Sequence, residues 1–319
     1  MLIQCLLLLA GLALVVFGAD YLVDGASGIA RRFGLSEFVI GLTIVGMGTS
    51  APEMVVSFIG AVQGNADIAV GNVVGSNIFN TLLILGLTAL LLPMAITRDN
   101  RRWDIPVNLG ITALFVLLGL KGTLFGLGPD GLNRVDGAIL LALFVAYMWR
   151  SFKRKDESVA DETGAAPPRK LWLAILMILG GLAALVFGGN LFVDSATAIA
   201  QALGVSDKFI AITILAGGTS MPELATCVVA AAKKKGQLAL GNIIGSNLFN
   251  LLLVLGGSAL IHPLSFVGMN YIDLGVLLVS ALALVSCLFV GKKNQLDRLD
   301  GSLFLLIWAA YMTYLIIQL

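Results

Sequence analysis

Charge is what this sequence has least of. Asp, Glu, Lys and Arg make up 12% of its 319 residues, and 58% are hydrophobic. A soluble domain carries about 25% charged residues. A water-soluble fold of this length has nowhere to hide so much apolar surface, which excludes a soluble enzyme, a disordered chain and a nucleic-acid binder. Net charge is only +1. Histidine occurs once, at His262, and cysteine three times, at Cys5, Cys227 and Cys287. The cysteines lie apart inside apolar runs with no CxxC pair, so they read as free, buried thiols rather than as a disulfide framework or a soft-metal site.

In place of charge there are apolar runs, each near the roughly 20 residues that a membrane-crossing helix needs. They cover 3–26, 37–62, 68–93, 103–120, 134–150, 171–195, 207–232, 238–262, 270–290 and 299–318. The expectation is an all-α integral membrane protein with ten transmembrane helices. Residues 1–19 have no basic flank and exceed a signal-peptide core in length, so they read as a retained first helix. Residues 151–170 are hydrophilic, contain Pro167-Pro168 and form a solvated connector.

The two halves repeat each other at an offset of 170 residues. GLALVVFGADYLVDGASGIA (11–30) meets GLAALVFGGNLFVDSATAIA (181–200), TIVGMGTSAPE (43–53) meets TILAGGTSMPE (213–223), and GNVVGSNIFN (71–80) meets GNIIGSNLFN (241–250). Shared Gly, Thr, Ser, Pro, Glu and Asn make this an internal duplication. The first unit spans 1–150, with its motif region at 41–80. The second spans 171–319, with its motif region at 211–250. Five helices per unit is odd, so the second unit enters the membrane inverted. With loops assigned alternately to two sides, 17 of the 20 Lys and Arg fall on one side, and Lys121, Arg134 and Lys208 on the other. The basic side faces the cytoplasm. This implies a multi-pass plasma (inner) membrane protein with the 151–170 linker cytoplasmic and both termini outside. Inverted repeats are an architecture of secondary transporters, whose site lies near the midplane.

Two carboxylates, Glu53 and Glu223, stand deep in apolar segments. A charge at the bilayer centre costs at least about 2.5–3.5 kcal/mol, and no Lys or Arg lies in a membrane core to pair with them. A bound cation is the natural partner; the alternative is a neutral, protonated Glu hydrogen-bonded between helices, which two repeat-related Glu residues in identical settings disfavour. Thr49 and Ser50 precede Glu53 by four and three residues, and Thr219 and Ser220 precede Glu223 likewise, so three oxygens of each triplet can share one helix face. Pro52 and Pro222, after glycine-rich turns, favour a broken helix with free carbonyls beside the carboxylate. In the second motif, Ser76 and Asn80, and Ser246 and Asn250, are each four apart and present further oxygens. Asn72, Asn77, Asn242 and Asn247 suit either interhelical hydrogen bonds or ligation. Gly71 and Gly75, and Gly241 and Gly245, have the GxxxG spacing of close helix approach. The donors are all oxygen, which suits hard cations such as Ca²⁺ and Na⁺, not a soft transition metal.

The paired GTSxPE and GNxxGSNxxN motifs resemble the Na⁺/Ca²⁺ exchanger branch of the calcium/cation antiporters. The resemblance covers essentially the whole chain. It implies a core of segments 2, 3, 7 and 8, with segments 1 and 6 sliding past it. It implies Ca²⁺ ligation chiefly by Glu53 and Glu223. Na⁺ or Ca²⁺ contacts would come from Thr49, Ser50, Ser76, Thr219, Ser220 and Ser246, and backbone carbonyls from Gly46 and Ala216. Microbial members pair Asn with Asp where this chain has Asn80 and Asn250, so only two acidic side chains remain, enough to balance one Ca²⁺ or two Na⁺. The implied activity is Na⁺/Ca²⁺ antiport by alternating access, with no cofactor, no enzymatic activity, no nucleic-acid partner and function as a monomer in the lipid bilayer. The alternatives are an H⁺/Ca²⁺ exchanger of the same fold, an ion channel, and an intramembrane hydrolase using Ser50 or Ser220. The last lacks a nearby histidine base and any GxSxG or HExxH motif.

Overall fold

The computed structural model describes residues 2–153, 170–205, 210, 214, 216–266, 269–289 and 294–318. Most of the 151–170 connector and part of segment 207–232 therefore lie outside the described residues. Every main element is helical. In chain order they are α1 Leu2–Phe33, α2 Glu37–Thr49, α3 Ala51–Val62, α4 Ala66–Leu91, α5 Asn100–Gly119, α6 Arg134–Lys153, α7 Leu171–Ala202, α8 Met221–Ala232, α9 Gly236–Ile261, α10 Tyr271–Ser286 and α11 Arg298–Ile317. Among them, seven helices are long and apolar enough to cross a membrane, or eight if the bent pair α2–α3 counts as one span. The chain is an all-α membrane protein.

Helices α1 and α7 each run 32 residues, about 48 Å at 1.5 Å per residue. That exceeds the ~30 Å hydrocarbon thickness. Each continues past the end predicted from hydropathy until a glycine in the left-handed region stops it. Gly34 has φ 64° and Leu35 N–H bonds back to Ala30 O at 2.9 Å; Gly204 has φ 80° and Val205 N–H bonds to Ala200 O at 3.0 Å.

α1 and α7 cross with backbone against backbone. A Cβ at Gly18 would lie 2.8 Å from Gly181 O, and one at Gly181 2.7 Å from Gly18 O. The other long helices wrap a centre formed by α4 and α9, which are 72% and 94% buried in their most apolar windows, against 17–33% for α1, α5, α6, α7 and α11. In a bilayer that difference separates interior helices from lipid-facing ones. Cys5 lies exposed on the outer surface of α1, whereas Cys227 and Cys287 are buried. In a membrane helix an apolar stretch of sequence includes lipid-facing positions as well as packed ones, so the expectation of a buried thiol fails at Cys5.

Of the two GxxxG pairs, only the second forms a close crossing. Cβ atoms at Gly241 and Gly245 would lie 2.3 Å from Phe38 O and 2.2 Å from Leu42 O, while Gly71 and Gly75 have nothing within 4 Å. Two short antiparallel ribbons join loops of the two halves. Met94–Ala95 pairs with Gln295–Leu296, and Gly131–Leu132 with Leu264–Ser265.

Candidate functional site

The α2–α3 segment bends by 49° at its break. Ser50, at φ −82° and ψ 9°, leaves the helical geometry, and Pro52 then occupies the first turn of α3, where a missing N–H costs nothing. Glu53 follows in that turn. The same arrangement recurs at Ser220, φ −90° and ψ 8°, with Pro222 and Glu223 opening α8. Both carboxylates are wholly buried, as are Thr49, Ser50, Ser220, Asn80, Asn250 and Ser246, with Ser76 2% exposed.

The hydroxyls cross between the halves. Ser50 Oγ donates to Glu223 Oε1 at 2.9 Å, and Ser220 Oγ donates to Glu53 Oε1 at 3.2 Å. Thr49 stands beside Glu223 and Thr219 beside Glu53. This corrects the expectation that each Thr-Ser-Glu triplet turns its oxygens to one face. The break at Ser50 and Ser220 ends the regular helix inside the triplet, so the hydroxyls swing toward the other half. The serines of the second motif complete each carboxylate. Ser76 Oγ donates to Glu53 Oε1 at 3.4 Å and Ser246 Oγ to Glu223 Oε1 at 3.5 Å.

Thr49 Oγ1 also meets Gly46 O at 3.4 Å and Asn242 Oδ1 at 3.2 Å, and Ser246 Oγ reaches Gly46 O at 3.3 Å. The Gly46 carbonyl therefore adjoins the same cluster. Ala216 begins a short helical turn, Ala216–Gly218.

Each Oε1 thus has two hydroxyl donors. Each Oε2 has none, and the same holds for Asn80 Oδ1 and Asn250 Oδ1: all four atoms are buried without a hydrogen-bond partner. A buried polar oxygen left unpaired is costly, and here two carboxylate and two amide oxygens on the repeated motifs are left so. The donors are carboxylate and amide oxygens, the ligand types of Ca²⁺ and Na⁺. Among the described residues no three His, Cys, Asp or Glu side chains gather into a metal site.

The supporting asparagines are interhelical. Asn72 Nδ2 donates to Glu53 O at 3.1 Å and Ser57 Oγ at 3.0 Å, and Asn242 Nδ2 meets Cys227 Sγ at 3.3 Å. Asn77, Asn247 and Thr81 join Asn80 and Asn250 in one network. Ser57, Cys227 and Thr81 are the contributors that sequence reasoning missed. The offset of 170 pairs Ser57 with Cys227 and was the available signal for both; Thr81 pairs with Leu251 and left none.

Residues 3–153 and 173–317 match the family model described as "Sodium/calcium exchanger protein". The "Inner membrane protein YrbG" of Escherichia coli is 38% identical over 271 residues, covering 82% of this chain and 81% of its own. The "Sodium/calcium exchanger MaX1" of Methanosarcina acetivorans is 33% identical over 346 residues, covering 98% of both. The solved structure of the sodium-calcium exchanger NCX_Mj soaked with 2.5 mM Na⁺ and 0.1 mM Ca²⁺ superimposes with a TM-score of 0.83 at 32% identity, covering 98% of each chain. With a family model spanning nearly the whole sequence and full-length likeness to named exchangers, the chain belongs to the sodium/calcium exchanger family and is a membrane antiporter of Ca²⁺ and other cations.

Proposed function

We propose that the protein exchanges Na⁺ for Ca²⁺ at one buried site, open to one side of the membrane at a time. The observation that carries this reading is the set of four unpartnered buried oxygens, Glu53 Oε2, Glu223 Oε2, Asn80 Oδ1 and Asn250 Oδ1. Thr49, Ser50, Ser76, Thr219, Ser220 and Ser246 surround the two carboxylates, the Gly46 carbonyl adjoins them, and by the repeat the Ala216 carbonyl is assigned the equivalent role. Two carboxylates neutralise one Ca²⁺ or two Na⁺, so the two loads compete for the same charge. Antiport then needs no chemical step. Na⁺ entering down its gradient displaces Ca²⁺, and transport is exchange rather than one-way leak because the site is costly to turn from one side to the other while charged and empty.

The site is assembled from two halves, 1–150 and 171–319, which we read as inverted five-helix repeats giving ten membrane crossings, joined by a cytoplasmic 151–170 linker and working as a monomer in the plasma membrane. The ribbons support the alternation of sides. Loops 94–95 and 295–296 meet, as do loops 131–132 and 264–265, and the alternating topology assigns each of these pairs to one face. Lys233 also meets Asp20 at 2.7 Å and Asp24 at 2.6 Å, joining the basic loop after α8 to the α1 end that carries Arg31 and Arg32. The resemblance gives α1 and α7, which cross backbone against backbone, the role of sliding past the core.

Liposomes holding the purified protein and loaded with Na⁺, diluted into Na⁺-free buffer with radioactive calcium, test the reading. Choline-loaded and pH-gradient vesicles run beside them. Uptake that needs internal Na⁺, and is abolished in Glu53→Gln and Glu223→Gln, is the expected result. Uptake driven by the pH gradient alone replaces Na⁺ by H⁺ as the coupling ion, and normal flux in either glutamine variant refutes the two-carboxylate site.

A further inference from the structure

We propose that Asn77 and Asn247 are positioning residues that decide which end of the Asn250 and Asn80 amides faces the transported cation. The inference rests on the proposed site and adds what orients its neutral ligands. A carboxamide has a donor end and an acceptor end, and only the oxygen end can bind a cation. A flipped Asn80 or Asn250 would aim an NH₂ group at the ion. Something must prevent the flip, and the network around the two residues does so in two crossed relays.

In one relay, Asn247 Nδ2 donates to Thr81 Oγ1 at 2.8 Å. That turns Asn247 Oδ1 toward Asn80, whose Nδ2 donates to it at 3.4 Å. With its nitrogen held, Asn80 presents Oδ1, the atom left without a partner. In the other relay, Asn77 Nδ2 donates to the Asn247 backbone carbonyl at 3.1 Å. Asn77 Oδ1 then accepts from Asn250 Nδ2 at 3.1 Å, and Asn250 Oδ1 is left free. All four amides are at most 3% exposed.

The anchors differ because the halves differ. Thr81 corresponds to Leu251 under the 170-residue offset, so the relay to Asn250 has no hydroxyl to start from and starts from a main-chain carbonyl instead. The Asn77 relay begins on a main-chain carbonyl, which can only accept, and the Asn247 relay begins on the Thr81 hydroxyl acting as acceptor; each ends on an amide oxygen left without a partner. Each also crosses from one half to the other, which couples the geometry of the two motifs.

The test is a double-mutant cycle on Ca²⁺ affinity, read by equilibrium binding of radioactive calcium to the purified full-length protein. Asn247→Leu and Asn77→Leu are each made in the native, Asn80→Asp and Asn250→Asp backgrounds. A carboxylate has two equivalent oxygens and needs no orienting partner. Asn247→Leu is expected to weaken binding about 2–10-fold in the native background, the worth of one hydrogen bond. In the Asn80→Asp background its cost falls below about twofold or becomes a gain, while it persists in Asn250→Asp. Asn77→Leu shows the mirror pattern. Thr81→Val, which removes only the anchor hydroxyl, reproduces the Asn247 pattern if the leucine variant does not fold. Equal costs in all backgrounds make these residues mere packing and overturn the inference. Wild-type affinity in Glu223→Gln, measured alongside, refutes the site itself, so the two failures are distinct.

Discussion

Adjacent glycines on α7 provide a sharp test of the α1–α7 crossing. A Cβ added at Gly181 would sit 2.7 Å from Gly18 O and 2.8 Å from Leu22 N, both backbone atoms that no rotamer change can move. To reach an ordinary contact the helices must part by about 0.7 Å along that line, and overpacking of this kind costs about 1–3 kcal/mol. Gly180, one residue earlier on the same helix, has nothing within 4 Å of its Cβ position. Both alanines gain the same helix propensity, about 1 kcal/mol over glycine. That gain cancels in the comparison and leaves the packing cost alone. Gly180→Ala is therefore expected to be neutral or stabilising, and Gly181→Ala to melt lower than it by about 1.5–4.5 °C, at about 1.5 °C per kcal/mol for a chain of this length. Thermal midpoints of the two variants in the same detergent measure the difference. Exchange by Gly181→Ala should fall as well, because this seam joins the two helices proposed to slide together. Equal midpoints would refute the backbone-on-backbone crossing.

Three further outcomes follow from the geometry. Cys227→Ser should retain fold and exchange, because Ser57 holds the equivalent place and accepts from Asn72 at 3.0 Å; a lost fold, seen as aggregation on size-exclusion chromatography, would show that the thiol's volume is needed there. Lys234→Gly should raise the melting temperature by about 1–2 °C, because Lys234 sits at φ 59°, where a side chain costs about 1 kcal/mol and where Gly64 stands in the other half; an unchanged or lower midpoint contradicts it. Lys233→Met removes the ion pairs to Asp20 and Asp24, and partly exposed pairs are each worth about 0–1 kcal/mol, so its small loss of stability should shrink in 0.5 M choline chloride. A loss insensitive to salt would assign the contact to packing of the lysine stem instead.

Much of this protein was legible before any coordinates. Hydropathy marked the chain as a multi-pass all-α membrane protein, since a bilayer of given thickness demands apolar runs of given length, and seven or eight of its helices are long and apolar enough to cross. The 170-residue offset picked out Glu53, Glu223, Asn80 and Asn250, because a duplicated polar residue in an apolar helix stands out twice. Helix periodicity, however, ranks residues only by face and cannot say which helix a face meets. That Ser50 serves Glu223 and Ser220 serves Glu53 was decided by the breaks at those serines and by the packing of one half on the other. The same limit hid why Gly241 and Gly245 form a close crossing while Gly71 and Gly75 do not. Hydropathy also ended α1 and α7 too early, because their polar last turns are held by left-handed glycine caps rather than by apolar burial. The amino-acid sequence by itself determined the membrane class, the duplication and the oxygen chemistry. Only the tertiary structure decided which motif oxygens keep hydrogen-bond partners and which four do not, because that depends on contacts between residues some 170 positions apart.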